Sequence, residues 1–343
     1  MNTFKQLIKA LFYLFSLSLA FFVILFIALF IYNNNPSLFK KEEIAAAQWM
    51  PKDIEAALEN KSMTKEVEYG YRLVAQSPEY MGPTATDPAM HLTGNNLACV
   101  NCHLENGTKP GSASWVGVTN RFPQFSGRSN KEGSIEDRIN GCMERSMNGK
   151  KLPKESDAMK AIVAYMEWLS EDVPEEREAE FKGFPPIKIP EIAVDLEKGR
   201  SLYTIECQVC HGENGQGVRL ADTTKGYQYP PLWGEDSYNH GAGMHRVITA
   251  AEFIKGNMPF GQATRENPKL TDEEAYHLAG YINSFSRPIK PGTEKDYPDL
   301  KLKPVSTPYG PWADDFSESQ HKFGPYQPII EFYKEKYDLT KTK

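Results

Sequence analysis

Cys99-Val100-Asn101-Cys102-His103 and Cys207-Gln208-Val209-Cys210-His211 decide how this chain folds. Both have the Cys-x-x-Cys-His spacing that attaches a c-type haem through two thioethers and turns the adjacent histidine into the proximal iron ligand. The reading is two covalently attached haem c groups. Cys99, Cys102, Cys207 and Cys210 are the attachment points, and His103 and His211 the iron ligands. A zinc site or disulfides would be the other use of such cysteines.

Around each motif the same order of elements recurs. In the second half, Gly199-Arg200-Ser201-Leu202-Tyr203 opens a helix leading into Cys207, and Thr271-Asp272-Glu273-Glu274 begins another that runs to Phe285. Thr271 is an N-cap followed by acids in the first turn. Tyr276, Leu278, Ala279, Tyr281 and Ile282 supply that helix's apolar face. In the first half, Gly70-Tyr71-Arg72-Leu73 plays the opening part and residues 154–169 the closing one, with Ala158, Ile162, Tyr165, Met166 and Leu169 at helical spacing. The stretch 79–97, with Pro83, Pro88 and Gly94, reads as an inserted loop.

This order resembles the small cytochrome c domain. The expected fold class is all-α: two cytochrome c-like domains in tandem behind an N-terminal transmembrane helix. The boundaries are 1–33 for the anchor, 34–65 for a linker and approach helix, 66–173 for a first domain with the catalytic haem, and 174–194 for a linker. A second domain with an electron-transfer haem occupies 195–287, and the Pro- and aromatic-rich tail 288–343 is expected to pack on the domains, because disordered tails lack aromatics.

The chain has 343 residues and a net charge of −6. With no basic stripe, nucleic-acid binding is excluded. Lys5 and Lys9 precede an uncharged apolar run from Leu11 to Tyr32. As a helix it would span about 33 Å, enough for a hydrocarbon core of about 30 Å. A cleaved signal peptide is the rival, but its apolar region is usually about 7–15 residues and ends in an Ala-x-Ala-like site. This run ends in Asn33-Asn34-Asn35-Pro36. An uncleaved anchor in the bacterial inner membrane is expected, with the lysines inside and the haem domains facing the periplasm.

Five cysteines are present and haem takes four, so Cys142 is left over. Ser134 with Asp137 approximates a capping box and Gly149 offers a stop, which predicts a helix over about 135–147. On it Arg138, Cys142 and Ser146 stand at i−4, i and i+4 and share a face, with Arg145 beside them. Flanking guanidinium groups favour the thiolate, which is both a haem iron ligand and a nucleophile. Two plainer readings remain. Met143 or Met147 could be the distal ligand with Cys142 as packing, and the arginines could neutralise haem propionates. For the second haem, Met258 is the distal candidate, with Met244, His245, His240 and Lys255 as rivals. His91, His277 and His321 read as surface or structural residues.

At these residues the chain resembles the thiosulfate dehydrogenase family of dihaem cytochromes c. The resemblance runs from about Gly70 to Pro288 and is carried by Asn120-Arg121-Phe122-Pro123-Gln124-Phe125, Arg138-Ile139-Asn140-Gly141-Cys142, Arg145-Ser146-Met147-Asn148-Gly149, Pro230-Pro231-Leu232-Trp233-Gly234, Gly241-Ala242-Gly243-Met244 and Asn257-Met258-Pro259. It implies His103 and Cys142 as axial ligands of one haem, His211 and Met258 as those of the other, and Arg128, Arg138 and Ser146 in the active site with Cys142. It also implies oxidation of two thiosulfates to tetrathionate, or the reverse, with a small cytochrome c or similar protein as external electron partner. The chain departs from the pattern in its membrane anchor and in Asn257, where some relatives have lysine. The competing expectation is a membrane-anchored, non-catalytic dihaem electron carrier.

Overall fold

The computed structural model describes residues 2–34 and 49–343. Most of the linker expected between anchor and first domain, over 35–48, lies outside the described residues. Helix α1 (Asn2–Asn34) is one unit and residues 51–343 form another. Within α1 the span Lys5–Ile31 contains an 18-residue stretch with a mean hydropathy of 2.9, and no residue of the span is buried. That is long and apolar enough to cross a membrane, and a signal sequence would have the same character.

The first domain begins with α2 (Ile54–Glu59), α3 (Lys65–Ala75) and α4 (Ser77–Met81). A two-stranded hairpin follows, β1 (Gln124–Ser126) with β2 (Lys131–Gly133), then α5 (Ile135–Arg145) and α6 (Asp157–Ser170). Side-chain caps set the starts: Thr64 accepts from the Val67 amide and Ser156 from the Met159 amide. Ser134 and Asp137 cap each other's backbone reciprocally, so α5 starts where the sequence predicts. The stretch 79–97 is mostly loop, but it begins inside α4 and carries one 3-10 turn, Pro88–Met90. Leu73, Val74, Met143, Met147, Leu152, Met159 and Tyr165 form the core between these helices.

The segment read as a linker holds α7 (Glu175–Phe181). The second domain contains α8 (Leu196–Glu206), α9 (Gln208–His211), a short hairpin of β3 (Val218–Arg219) and β4 (Tyr227–Tyr229), α10 (Val247–Asn257) and α11 (Asp272–Ser284). Thr271 and Glu274 complete a capping box at the start of α11. The tail adds α12 (Glu318–Phe323) and α13 (Gln327–Tyr337). Its Val305, Tyr326, Ile329 and Tyr333 are buried in the same core as Tyr203, Val247, Tyr276 and Ile282. The tail is therefore structural to the second domain.

The two halves share one packing device. A Cβ at Gly70 of α3 would lie 1.9 Å from the Ala161 carbonyl oxygen of α6. A Cβ at Gly199 of α8 would lie 2.4 Å from the His277 oxygen of α11. Backbone meets backbone at both crossings, so only glycine fits. Gly70→Ala and Gly199→Ala should each destabilise the fold by about 1–3 kcal/mol, because the packed helix must move aside. Thermal denaturation of each variant checks this, and an unchanged midpoint would contradict the close crossing.

Candidate active site

Helix α5 walls a cavity of the first domain with about 1350 Å³ of atom-free space, part of it open to solvent. Cys99, Cys102, His103, Arg138, Cys142 and Ser146 line it together. Tyr238 and Met244 reach it from the second domain. His103 donates from Nδ1 to the Ala113 carbonyl at 2.7 Å, which leaves Nε2 to face the cavity as a lone-pair donor.

The three thiols of this cavity are set apart electrostatically. Burial pushes Cys99 up to about 11 and Cys102 up to about 12. Burial acts on Cys142 in the same direction. There, however, the Arg138 charge, the adjacent His103 imidazole and the Arg128 charge outweigh it and hold the thiol at about 6. Arg138 Nη1 lies 3.5 Å from the Cys142 sulfur, one turn along α5. Cys142 is therefore the one thiol of the three held as a thiolate near neutral pH.

Arg128 comes from the β1–β2 turn, which carries it into the same electrostatic neighbourhood. Its Nη1 donates to the Gly241 carbonyl at 3.0 Å and to Asp296 Oδ2 at 3.2 Å. Arg145 turns away from the thiol, contrary to the expected pair of flanking guanidiniums on α5. Its Nη2 binds Asp296 Oδ1 at 2.8 Å, so the ion pair with that carboxylate, not its place on the helix, sets its direction. The second cation acting on Cys142 is Arg128. The C-terminal end of α5 is tied to the second domain: Asn239 Nδ2 donates to Glu144 O at 2.9 Å, and Asn95 of the first domain bridges from Nδ2 to Ser146 O at 2.9 Å and Ser237 O at 3.1 Å.

In the second domain, His211 is buried and donates from Nδ1 to the Pro230 carbonyl at 2.8 Å, and burial lowers its pKa. Its Nε2 is left as a lone-pair donor. Met258 follows directly on α10 and packs partly buried against the second core. Of its rivals, Lys255 is paired with Asp272, and His240 Nδ1 accepts from the Lys290 amide at 3.0 Å. Met244 lines the first cavity. His245 is held through Nδ1 by the His240 carbonyl, and burial together with Arg287 pushes it down to about 3.

Comparison with known proteins agrees with this geometry. The family model described as "SoxA/TsdA, cytochrome c domain" matches residues 91–174, and the one described as "Cytochrome c" matches residues 196–286. A protein named thiosulfate dehydrogenase from Psychrobacter arcticus is 44% identical over 207 residues, 60% of this chain and 61% of that one. One of the same name from Allochromatium vinosum is 42% identical over 202 residues, 58% of this chain and 72% of that one. The chain belongs to the thiosulfate dehydrogenase family. The solved structure of thiosulfate dehydrogenase (TsdBA) from Marichromatium purpuratum, as isolated, superimposes with a TM-score of 0.61 at 31% identity, covering 73% of this chain and 52% of that chain. The chain spans about three fifths of the length of the Psychrobacter relative.

As a thiosulfate dehydrogenase family member with two cytochrome c domains, the chain carries two covalently bound haem c groups. The residues of the first cavity fit such a group. Besides the two cysteines and two ligand-capable side chains, Arg121 Nη1 is buried there without a hydrogen-bond partner. A desolvated cation of this kind calls for an anion, and a haem propionate is one. Among the described residues no group of three His, Cys, Asp or Glu side chains is gathered for a metal ion alone, so the zinc alternative finds no support. His277 and His321 are buried and engaged: His277 accepts the Asp195 amide, and His321 bridges Val305 O and Asp314. Sequence reasoning missed Asp296 and Tyr309, which lie in the tail with no motif around them.

Proposed function

We propose that this protein oxidises two thiosulfate ions to tetrathionate, or runs the reverse reaction, and exchanges the two electrons with an external partner such as a small cytochrome c. The observation that carries this reading is the Cys142 thiolate set beside Arg138 and under the field of Arg128. Cys99 and Cys102 would attach the first haem, and His103 and Cys142 would be its iron ligands. Cys207 and Cys210 would attach the second, and His211 and Met258 would be its iron ligands. When bound, the haems would supply one-electron redox chemistry.

The chain's own residues supply the rest. Thiosulfate is a dianion, so joining two of them brings like charges together. Arg128 and Arg138 offset that repulsion in a preorganised site, and the Ser146 hydroxyl donates to a sulfonate oxygen. The Cys142 sulfur bonds to the sulfane sulfur of the first thiosulfate, with loss of two electrons, to give Cys-S-S-sulfonate. The sulfane sulfur of the second thiosulfate attacks the outer sulfur of that disulfide. The S–S bond to Cys142 breaks, the thiolate is restored, and tetrathionate leaves. Each turnover thus uses two thiosulfates and releases two electrons. Helix α1 supports anchorage at the inner membrane with the haem domains in the periplasm.

The test is thiosulfate-dependent reduction of an artificial acceptor by purified, haem-loaded protein, with tetrathionate measured. One tetrathionate per two electrons is expected. Absence of turnover in both directions would reduce the molecule to an electron carrier.

A further inference from the structure

The hairpin that carries Arg128 is a poor support for a substrate-binding side chain. Its strands are three residues each, Phe125 is 55% exposed, and a lone two-stranded hairpin is marginal in water. Apart from the Gly241 carbonyl, which accepts from Nη1 at 3.0 Å, what fixes Arg128 comes from the C-terminal segment, beyond both cytochrome c matches. The Tyr297 amide donates to the Arg128 carbonyl at 2.8 Å, and the Tyr297 ring lies 5.4 Å from the guanidinium. Asp296 accepts from Arg128 Nη1 at 3.2 Å, from Tyr309 Oη at 2.8 Å and, on its other oxygen, from Arg145 Nη2 at 2.8 Å. Side-chain exposure is 10% for Asp296 and 23% for Arg128, so the pair is little screened.

We propose that Asp296 is a positioning residue for the sulfur chemistry: it holds the Arg128 guanidinium, which the proposed function assigns to the anion site. This rests on the functional reading above. Arg128 and Arg145 are balanced by Asp296 and by Glu144, 3.8 Å from Arg145, so the excess positive charge for a bound dianion comes from Arg138 beside Cys142. The third partner, Tyr309, occupies the carboxylate without altering that balance. The tail thus acts as part of the active site as well as of the second core. A mere staple between tail and hairpin would use the same contacts, and the two roles separate by coupling. A positioning residue has nothing left to do once Arg128 is gone, whereas a staple still does.

The experiment uses the full-length holoprotein as wild type, Asp296→Asn, Asp296→Glu, Arg128→Ala and the double variant Arg128→Ala/Asp296→Asn. Thiosulfate Kd is read by calorimetry, KM and kcat by acceptor reduction, and haem content and melting temperature serve as controls. Asp296→Asn should raise Kd and KM by about tenfold or more, the scale of one charge-assisted hydrogen bond. Asp296→Glu should recover part of the loss, and the double variant should bind no worse than Arg128→Ala alone. Wild-type affinity in Asp296→Asn, or additive losses in the double variant, would overturn the proposal while leaving the functional reading intact. A lowered melting temperature in Asp296→Asn would not blur this, because coupling with Arg128→Ala is read on binding. Failure of wild type itself to bind or oxidise thiosulfate would sink the functional reading, and this proposal with it.

Discussion

Replacing Cys142 with alanine should abolish thiosulfate-dependent electron transfer, by about a thousandfold or more, the range typical of a lost covalent nucleophile. Both haems should stay attached, because Cys99, Cys102, Cys207 and Cys210 are untouched. The argument is electrostatic. Burial alone would push the Cys142 thiol up. The opposing influence of Arg138, His103 and Arg128 is needed only if the thiolate itself is needed. Stopped-flow reduction by thiosulfate, beside a haem stain of the same sample, separates loss of chemistry from loss of cofactor. Retained turnover would make Cys142 a packing residue.

Arg138→Ala should be the second most severe change. Its guanidinium sits 3.5 Å from the sulfur, so it both stabilises the thiolate and faces the incoming dianion. Removing one such preorganised donor costs about 10²- to 10³-fold in rate, or about 2.7–4 kcal/mol. Arg138→Lys should recover only part of this, since an ammonium lacks the planar fork that meets two sulfonate oxygens. The loss should show in kcat/KM with thiosulfate, while electron exchange between the protein and a small reductant stays at its wild-type rate. Equal loss in both assays would mean a general fold or haem defect.

The two haem c groups and the phase of α5 are readable in the sequence for a physical reason: both rest on local signals. A pentapeptide sets the thioether geometry, and the Ser134–Asp137 box starts α5 so that Arg138 and Cys142 fall one turn apart. Gly70 and Gly199 recur before each motif because the same helix crossing recurs. Side-chain direction across long separations is not local. Arg145 was readable as a neighbour of Cys142 along α5, but its guanidinium follows Asp296, 151 positions away. Arg128 sits in the turn of a hairpin whose three-residue strands give no periodic signal, and Asp296 lies in a tail whose composition shows packing but not its partner. The burial of Val305, Tyr326 and Tyr333 in the second core likewise has no signature beyond aromatic content.

Asn257 shows how a departure from the family pattern acquires a cause. Its side chain is fully buried and donates to Gly111 O of the first domain at 2.9 Å. It ties the segment leading to Met258 to the other domain.

Low-temperature electron paramagnetic resonance of the oxidised protein, with Cys142→Met alongside, tests most directly whether Cys142 is held as a thiolate at the first haem. The account predicts one low-spin histidine–thiolate signal and one histidine–methionine signal, with the thiolate signal lost in the variant. Two histidine–methionine signals in the wild type, unchanged by the substitution, would contradict it.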